Sequence, residues 1–373
     1  DLKQFVGNGE VVALSAGTAA VHLALIACGV KPGDEVIVQN FTFCASSHPI
    51  TYLGAKPIFV GSEGETWNMD PVLLEGAIKD RIVKTGKKPK AIVPVALYGM
   101  PYNCEKIMEI SNRYEIPVIE DAAEGFGSKF DGKVLGTFGK FGVLSFNGNK
   151  MITTSGGGAL ICQNEEDKNT IMWYATQARD AYPYYQHTAI GYNYRMSNIC
   201  AGIGRGQMTV AQAHIDHHKH VQSLYEELLK DVKGVHIHKQ PADKRYDSNF
   251  WLCTATIDED VKVVGQENAY QEVIKTAVGG AAGVIKAVNS ATTDCQPNEN
   301  VEALRVFMLN NKIEARPVWK PMHKQPVYVD APCYTNGIEE DIFKIGFCLP
   351  AGPYVIDDDV KYIVEKIKEA IIG

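Results

Sequence analysis

The sequence predicts an α/β protein with a mixed, mostly parallel, buried sheet and a smaller α+β C-terminal domain. Two observations carry that reading. In the first half of the 373 residues, short β-branched apolar runs alternate with amphipathic stretches of helical period, a spacing that predicts right-handed βαβ crossovers. In the second half, one long helical stretch is followed by strands and helices in less regular order. The large domain is expected over residues 1–215 and the small one over 216–373.

Residues 11–14 predict the first strand. Ser15-Ala16-Gly17-Thr18 then opens a helix running through Cys28. Residues 35–38 and 57–60 are the next two strands, with a helix-like run between them. Asp70-Pro71 reads as a helix start, Asp at the N-cap and Pro in the first turn. Residues 91–96 form a strand, 104–114 a helix, 117–121 a strand, and 141–146 and 158–162 two more. Residues 197–232 read as a long helical bridge out of the large domain. Beyond it, 235–238, 250–257 and 313–318 are expected strands, and 301–310 and 358–371 expected helices. Between 258 and 300 lies an extra segment, in which 267–277 has helical character and 288–300 reads as loop.

Composition excludes several classes. The formal net charge is −7, from 37 Lys+Arg against 44 Asp+Glu, whereas phosphate neutralisation on nucleic acid needs clustered cations. No apolar stretch approaches the roughly 20 residues that span a bilayer. Nine cysteines, none in a Cys-x-x-Cys pair, read as reduced, small core residues of a cytoplasmic protein. The opening Asp1-Leu2-Lys3-Gln4 is not a secretion signal and predicts residues upstream. Gly202-Ile203-Gly204-Arg205-Gly206 lacks a preceding strand and reads as a glycine-bearing packed helix rather than a dinucleotide loop. His214, His217, His218 and His220 have i, i+3 and i, i+4 spacings on a polar helix; with no nearby cysteine they read as a solvated face, and no metal site is expected.

The chemistry concentrates between residues 120 and 160. Asp121 ends an apolar strand, and open α/β sheets bind ligands at strand carboxyl ends. Leu144-Ser145-Phe146-Asn147-Gly148-Asn149-Lys150 leaves another strand, followed by Thr153-Thr154-Ser155-Gly156-Gly157-Gly158. A lysine in a glycine-rich neighbourhood has room for a flat cofactor. An acid 29 positions upstream can keep a pyridine nitrogen protonated, which makes the ring an electron sink.

Five motifs stand in one order: Ser15-Ala16-Gly17-Thr18-Ala19-Ala20, Phe41-Thr42-Phe43, Glu120-Asp121-Ala122-Ala123-Glu124, Ser145-Phe146-Asn147-Gly148-Asn149-Lys150 and Gly191-Tyr192-Asn193-Tyr194-Arg195-Met196-Ser197. In this the chain resembles the DegT/DnrJ/EryC1/StrS family of pyridoxal-phosphate sugar aminotransferases, which have fold type I. With Arg316-Pro317-Val318-Trp319-Lys320-Pro321-Met322-His323, it is most similar to the branch that makes UDP-4-amino-4,6-dideoxy-N-acetylglucosamine.

The resemblance implies pyridoxal 5'-phosphate as cofactor, Lys150 as the Schiff-base lysine and proton carrier, and Asp121 as the partner of the pyridine nitrogen. It implies Phe43 stacked on the ring, and Gly17, Thr18, Ala19 and Ser145 around the phosphate. Asn193 would reach the phosphate from the neighbouring subunit, which implies a homodimer. Glu124 stands near the cofactor's 3'-oxygen, where the family often has Gln or His. Arg316, Trp319 and His323 are candidate substrate residues, with a core role for His323 and an ion pair for Arg316 left open. Two further departures are a missing N-terminal segment and the length of residues 258–300.

The implied reaction moves an amino group from L-glutamate to the 4-keto carbon of a nucleotide-linked 4-keto-6-deoxy sugar. Another ketosugar, GDP-linked or 3-keto, stays open. So does a non-catalytic cofactor-binding regulator, although the chain shows no winged-helix segment or basic patch. Lys150 argues against the related dehydratases, in which His replaces the lysine. The absence of Gly-x-Gly-x-x-Gly after the first strand argues against a nicotinamide oxidoreductase.

Overall fold

The structure, a computed structural model, describes residues 1–7, 9–270 and 295–372. Its large sheet is built from β1 (Glu10–Leu14), β2 (Glu35–Gln39), β3 (Lys56–Val60), β4 (Ile92–Val93), β5 (Ile119–Asp121), β6 (Phe141–Ser145) and β7 (Gly158–Cys162). Parallel bridges from Ile92 to Val118 and from Val95 to Asp121 join its two halves. The spatial order is therefore β3-β2-β4-β5-β6-β7-β1, with β7 alone antiparallel to its neighbours. Cys333–Tyr334 adds a short parallel strand beside β3. The fold is α/β of fold type I.

The inner strands are buried on both faces, which explains their unbroken apolar runs. Helix Gly17–Ala27 packs on the same strands, with every residue from Ala19 to Leu25 buried. Its N-cap, Ala16, makes no side-chain cap, which costs about 1 kcal/mol. Burial of Val21, Leu23 and Leu25 contributes roughly 2 kcal/mol each, so packing holds this helix and its first amides stay free. Asp70, by contrast, caps its helix conventionally, accepting from the amides of Val72 at 2.7 Å and Leu73 at 3.4 Å.

The C-terminal part holds a four-stranded antiparallel sheet in the order Val235–Ile237, Cys253–Ile257, Gly346–Leu349, Arg316–Pro317. Helices Ala211–Leu229, Glu299–Asn310 and Asp357–Ala370 cover it around Tyr225, Leu304, Met308, Phe347 and Ile363. Ile215 of the first of these helices lies in the large-domain core, whereas Val221 and Tyr225 lie in the small one.

Several expectations shift. The 197–232 stretch is two helices, Asn198–Met208 and Ala211–Leu229, separated at Thr209-Val210. The glycine-bearing helix is packed only in part: none of its residues is fully buried, although Met208 packs against the large-domain core. The strand expected over 313–318 shortens to Arg316–Pro317 because Lys312 turns left-handed (φ 63°) before it and Pro317 has no amide to donate. Helices Glu165–Ala175 and Ile338–Ile345 were not anticipated. Most of 267–277 and the start of 288–300 lie outside the described residues.

Candidate active site

The strand carboxyl ends open into a cleft of ≈ 1320 Å³ lined from both sheets. Asp121 closes β5 at its floor. Its Oδ2 accepts the Ser46 hydroxyl at 2.6 Å and its Oδ1 accepts the Ala123 amide at 3.1 Å. Burial pushes the Asp121 carboxyl up, and the Ser46 hydroxyl, the Ala123 amide and the Lys150 charge pull it back. Ser46 is itself held by Thr42, the two hydroxyl oxygens 2.8 Å apart.

Lys150 sits in the loop after β6, its amide donating to the Asn147 carbonyl at 3.0 Å. Its Nζ donates to Glu124 Oε1 at 3.2 Å and lies 4.0 Å from the centre of the Trp251 ring. The Trp251 indole is fixed by donating to the Asn149 carbonyl at 2.7 Å. The second oxygen of Glu124 accepts the Tyr98 amide at 2.7 Å. Tyr98 takes a left-handed φ of 55° while buried, an uncommon conformation for an aromatic residue. Burial raises the Glu124 carboxyl to about 7, the Asp121 charge adds to the rise, and Lys150 and the Tyr98 amide oppose it.

A third corner forms where helix Gly17–Ala27 begins. The amides of Gly17, Thr18 and Ala19 have no acceptor within the helix and no side-chain cap. A Cβ at Gly17 would stand 3.1 Å from Ser145 Cβ, and one at Gly158 would stand 2.5 Å from the Gly17 nitrogen. Glycine at both positions therefore lets β7, Ser145 and the helix start converge. Among the described residues, no hydrogen bond engages the Thr18 or Ser145 hydroxyl. Free amides, free hydroxyls and the positive helix end together suit a phosphate.

Of the residues singled out from the sequence, Gly17, Thr18, Phe43, Asp121, Glu124, Ser145, Lys150, Arg316 and Trp319 line this one cleft. Ala19 is buried in the helix's first turn, off the lining. Phe43 is 52% exposed, its ring centre 5.4 Å from that of Trp319. Arg316 pairs with Glu314 at 2.6 Å. His323 is not brought to the cleft: its Nδ1 lies 2.8 Å from Asn40 Nδ2 and 3.1 Å from Asn40 Oδ1, and its Nε2 lies 3.0 Å from Glu340 Oε1. Asn193 is exposed and off the lining.

Ser46, Tyr98 and Trp251 were missed by sequence reasoning. Ser46 meets Asp121 across 75 residues of chain, and no spacing rule signals such a meeting. The four histidines diverge. His214 bonds the Met151 carbonyl, His217 that of Gly352, His218 that of Phe250, and His220 the Asp357 carboxylate. His218 is buried rather than on a solvated face, and burial lowers it to about 4.

The residues present fit a flat phosphorylated pyridine aldehyde: an amine for the aldehyde, a carboxylate for the ring nitrogen, and a phosphate corner. That set on this sheet defines a pyridoxal-phosphate-dependent enzyme of fold type I. The model of the DegT/DnrJ/EryC1/StrS aminotransferase family matches residues 1–283 and 282–368. The chain belongs to that family and is a pyridoxal-phosphate-dependent aminotransferase.

Its relatives include EpsN of Bacillus subtilis (strain 168), provisionally named a pyridoxal phosphate-dependent aminotransferase. The two are 38% identical over 98% of this chain and 84% of EpsN. The GDP-perosamine synthase of Escherichia coli O157:H7 is 35% identical over 95% of this chain and 84% of its own length. Among solved structures, a DegT DnrJ EryC1 StrS aminotransferase from Brucella abortus is 25% identical, with a TM-score of 0.82 over 99% of this chain and 87% of that one.

Proposed function

We propose that this enzyme transfers an amino group from L-glutamate to the 4-keto carbon of UDP-4-keto-6-deoxy-N-acetylglucosamine. The observation that carries an aminotransferase of large substrates is a single cleft running from Lys150 and Asp121 past Phe43 and Trp319 to Arg316. Its volume of ≈ 1320 Å³ exceeds that of an ordinary small-molecule pocket. The choice of sugar rests on the Ser145–Lys150 and Arg316–His323 motifs. The 35% identity with a GDP-perosamine synthase favours a second reading, the same reaction on a GDP-linked ketosugar.

Pyridoxal phosphate, when bound, supplies an electron sink beside the carbon that loses or gains a proton. The chain's own residues do the rest. Thr18, Ser145 and the amides of Gly17 to Ala19 hold the phosphate. Asp121, tied by Ser46 and Ala123, keeps its charge toward the ring nitrogen. Lys150 Nζ would take the proton from the amino acid's α-carbon and, in the second half-reaction, deliver a proton to the sugar carbon that receives the amine. Glu124, 3.2 Å away, holds that amine in place, and Phe43 and Trp319 exclude water from one face.

The working unit is a homodimer with shared sites. The support is a set of exposed large apolar residues, Tyr182, Tyr184, Tyr185 and Ile190 before the helix Asn198–Met208 and Ile199 and Ile203 on it. Purified protein given glutamate and a panel of UDP- and GDP-linked 3- and 4-ketosugars, with products read by mass spectrometry, tests the substrate. An aminated UDP-4-ketosugar is the expected product; amination of a GDP-sugar alone selects the second reading, and of none overturns both.

A further inference from the structure

We propose that Trp251 is a positioning residue for Lys150: its indole face holds the amine once that amine has taken up a proton, and keeps it aimed into the cleft. This deepens the mechanism proposed above and rests on Lys150 as the lysine that carries the cofactor.

A lysine side chain is a flexible four-carbon stem with a point charge at its end. Once the substrate's amino group has displaced it, no covalent bond fixes that end, yet a proton carrier has to stay within reach of the carbon it serves. Two groups meet Lys150 Nζ. Glu124 Oε1 accepts from it at 3.2 Å, and the centre of the Trp251 ring lies 4.0 Å away. They are not equivalent supports. Burial lifts the Glu124 carboxyl to about 7, so near neutrality that acid is partly neutral and gives up part of the ion pair. The quadrupole of an indole does not titrate. It attracts the amine only when the amine is charged, which is the state reached when Lys150 has taken a proton from carbon. The attraction is stronger away from water, and Trp251 is 4% exposed.

The ring is set on the same backbone as the amine. Its N–H donates to the carbonyl of Asn149, the residue before Lys150, at 2.7 Å. The Trp251 amide donates to Asn249 Oδ1 at 2.8 Å. Asn249 is fully buried; its Nδ2 donates to the Glu124 carbonyl at 2.8 Å and to that of Phe126 at 2.9 Å. Its own amide donates to the Ser128 hydroxyl at 2.9 Å. One asparagine therefore ties the backbone of Trp251 to that of Glu124, and both supports of Lys150 share an anchor. Phe250, between Asn249 and Trp251, takes a left-handed φ of 48°, a sharp turn from which Trp251 enters the lining of the cleft.

Fluorinated tryptophans placed at position 251 alone test this, because each fluorine weakens the negative face of the ring while its size and its N–H donor stay. In single turnover with cofactor and glutamate, the saturating rate of the cofactor's spectral change should fall stepwise, on the order of 10-fold for the fully fluorinated ring. The half-saturating glutamate concentration should stay within about twofold. Trp251→Phe, which keeps a face but not the N–H, should lose less rate than Trp251→Leu. In cofactor-free protein, acetic anhydride followed by peptide mapping should label Lys150 severalfold faster in Trp251→Leu than in wild type, with exposed Lys31 as the unchanged reference. A flat fluorine series overturns the proposal, as do an effect confined to half-saturation, Trp251→Phe as slow as Trp251→Leu, or wild-type labelling of Lys150 in Trp251→Leu. Borohydride mapping keeps the two readings apart. Cofactor found on another lysine removes the Lys150 reading and this proposal with it, whereas cofactor on Lys150 with a flat series rejects Trp251 alone.

Discussion

The Ser46 hydroxyl donates to Asp121 Oδ2 at 2.6 Å, joining the loop after β2 to the end of β5 beneath the cofactor site. Burial alone would favour the neutral acid at Asp121, and Ser46 is the strongest single group opposing it. The pair thus supports a charge in a place that disfavours charge.

Removing that support has a signed consequence. Ser46→Ala should lower transamination about tenfold, and more at acid pH, because an unsupported Asp121 protonates more readily. Asp121→Asn keeps the shape and loses the charge, so turnover should fall about a hundredfold or more while the cofactor still attaches. Steady-state rates between pH 6 and 8 check both; near-normal turnover in Asp121→Asn means that another group activates the ring.

Lys150 should carry the cofactor covalently. Borohydride reduction followed by peptide mapping should place a pyridoxyl group on Lys150, and Lys150→Ala should abolish that label and the activity together. A label on any other lysine rejects the assignment.

Glu124 gives the pH prediction. Burial lifts it from 4.5 to about 7, so between those values the folded chain holds a proton that the unfolded chain has released. Stability therefore falls as pH rises through that window. Glu124→Gln removes the titration, so relative to wild type the cofactor-free variant should gain about 1–3 kcal/mol in going from pH 4.5 to 7.5. Parallel thermal melts with no difference in slope would show that Glu124 does not titrate there.

Gly142 tests the packing behind the site. A Cβ there would stand 1.9 Å from the Gly136 carbonyl oxygen, and backbone cannot swing aside as a side chain can. Gly142→Ala should cost about 3 kcal/mol or more, read as a large drop in denaturant midpoint. Gly148→Ala, where nothing lies within 4 Å, should cost far less.

The alternation of apolar runs and helical periods was enough to read the strands of the large sheet, because two-sided burial demands near-continuous Val, Ile and Leu. The residues of the cleft were legible where a motif concentrates them, as Asp121 and Glu124 do on one strand end and Ser145 and Lys150 on one loop. Contacts made across the chain were not legible. Ser46 reaches Asp121, Tyr98 turns its amide to Glu124 through a left-handed φ, and Trp251, just before the strand Cys253–Ile257, covers Lys150. His323 shows the converse: its position in a motif suggested substrate, and folding gave it to Asn40 and Glu340. Periodicity is a property of neighbours along the chain, so sequence determined the elements and the chemically loaded loops. Which side chains meet depends on how crossovers stack strand upon strand, and only the tertiary structure decided that.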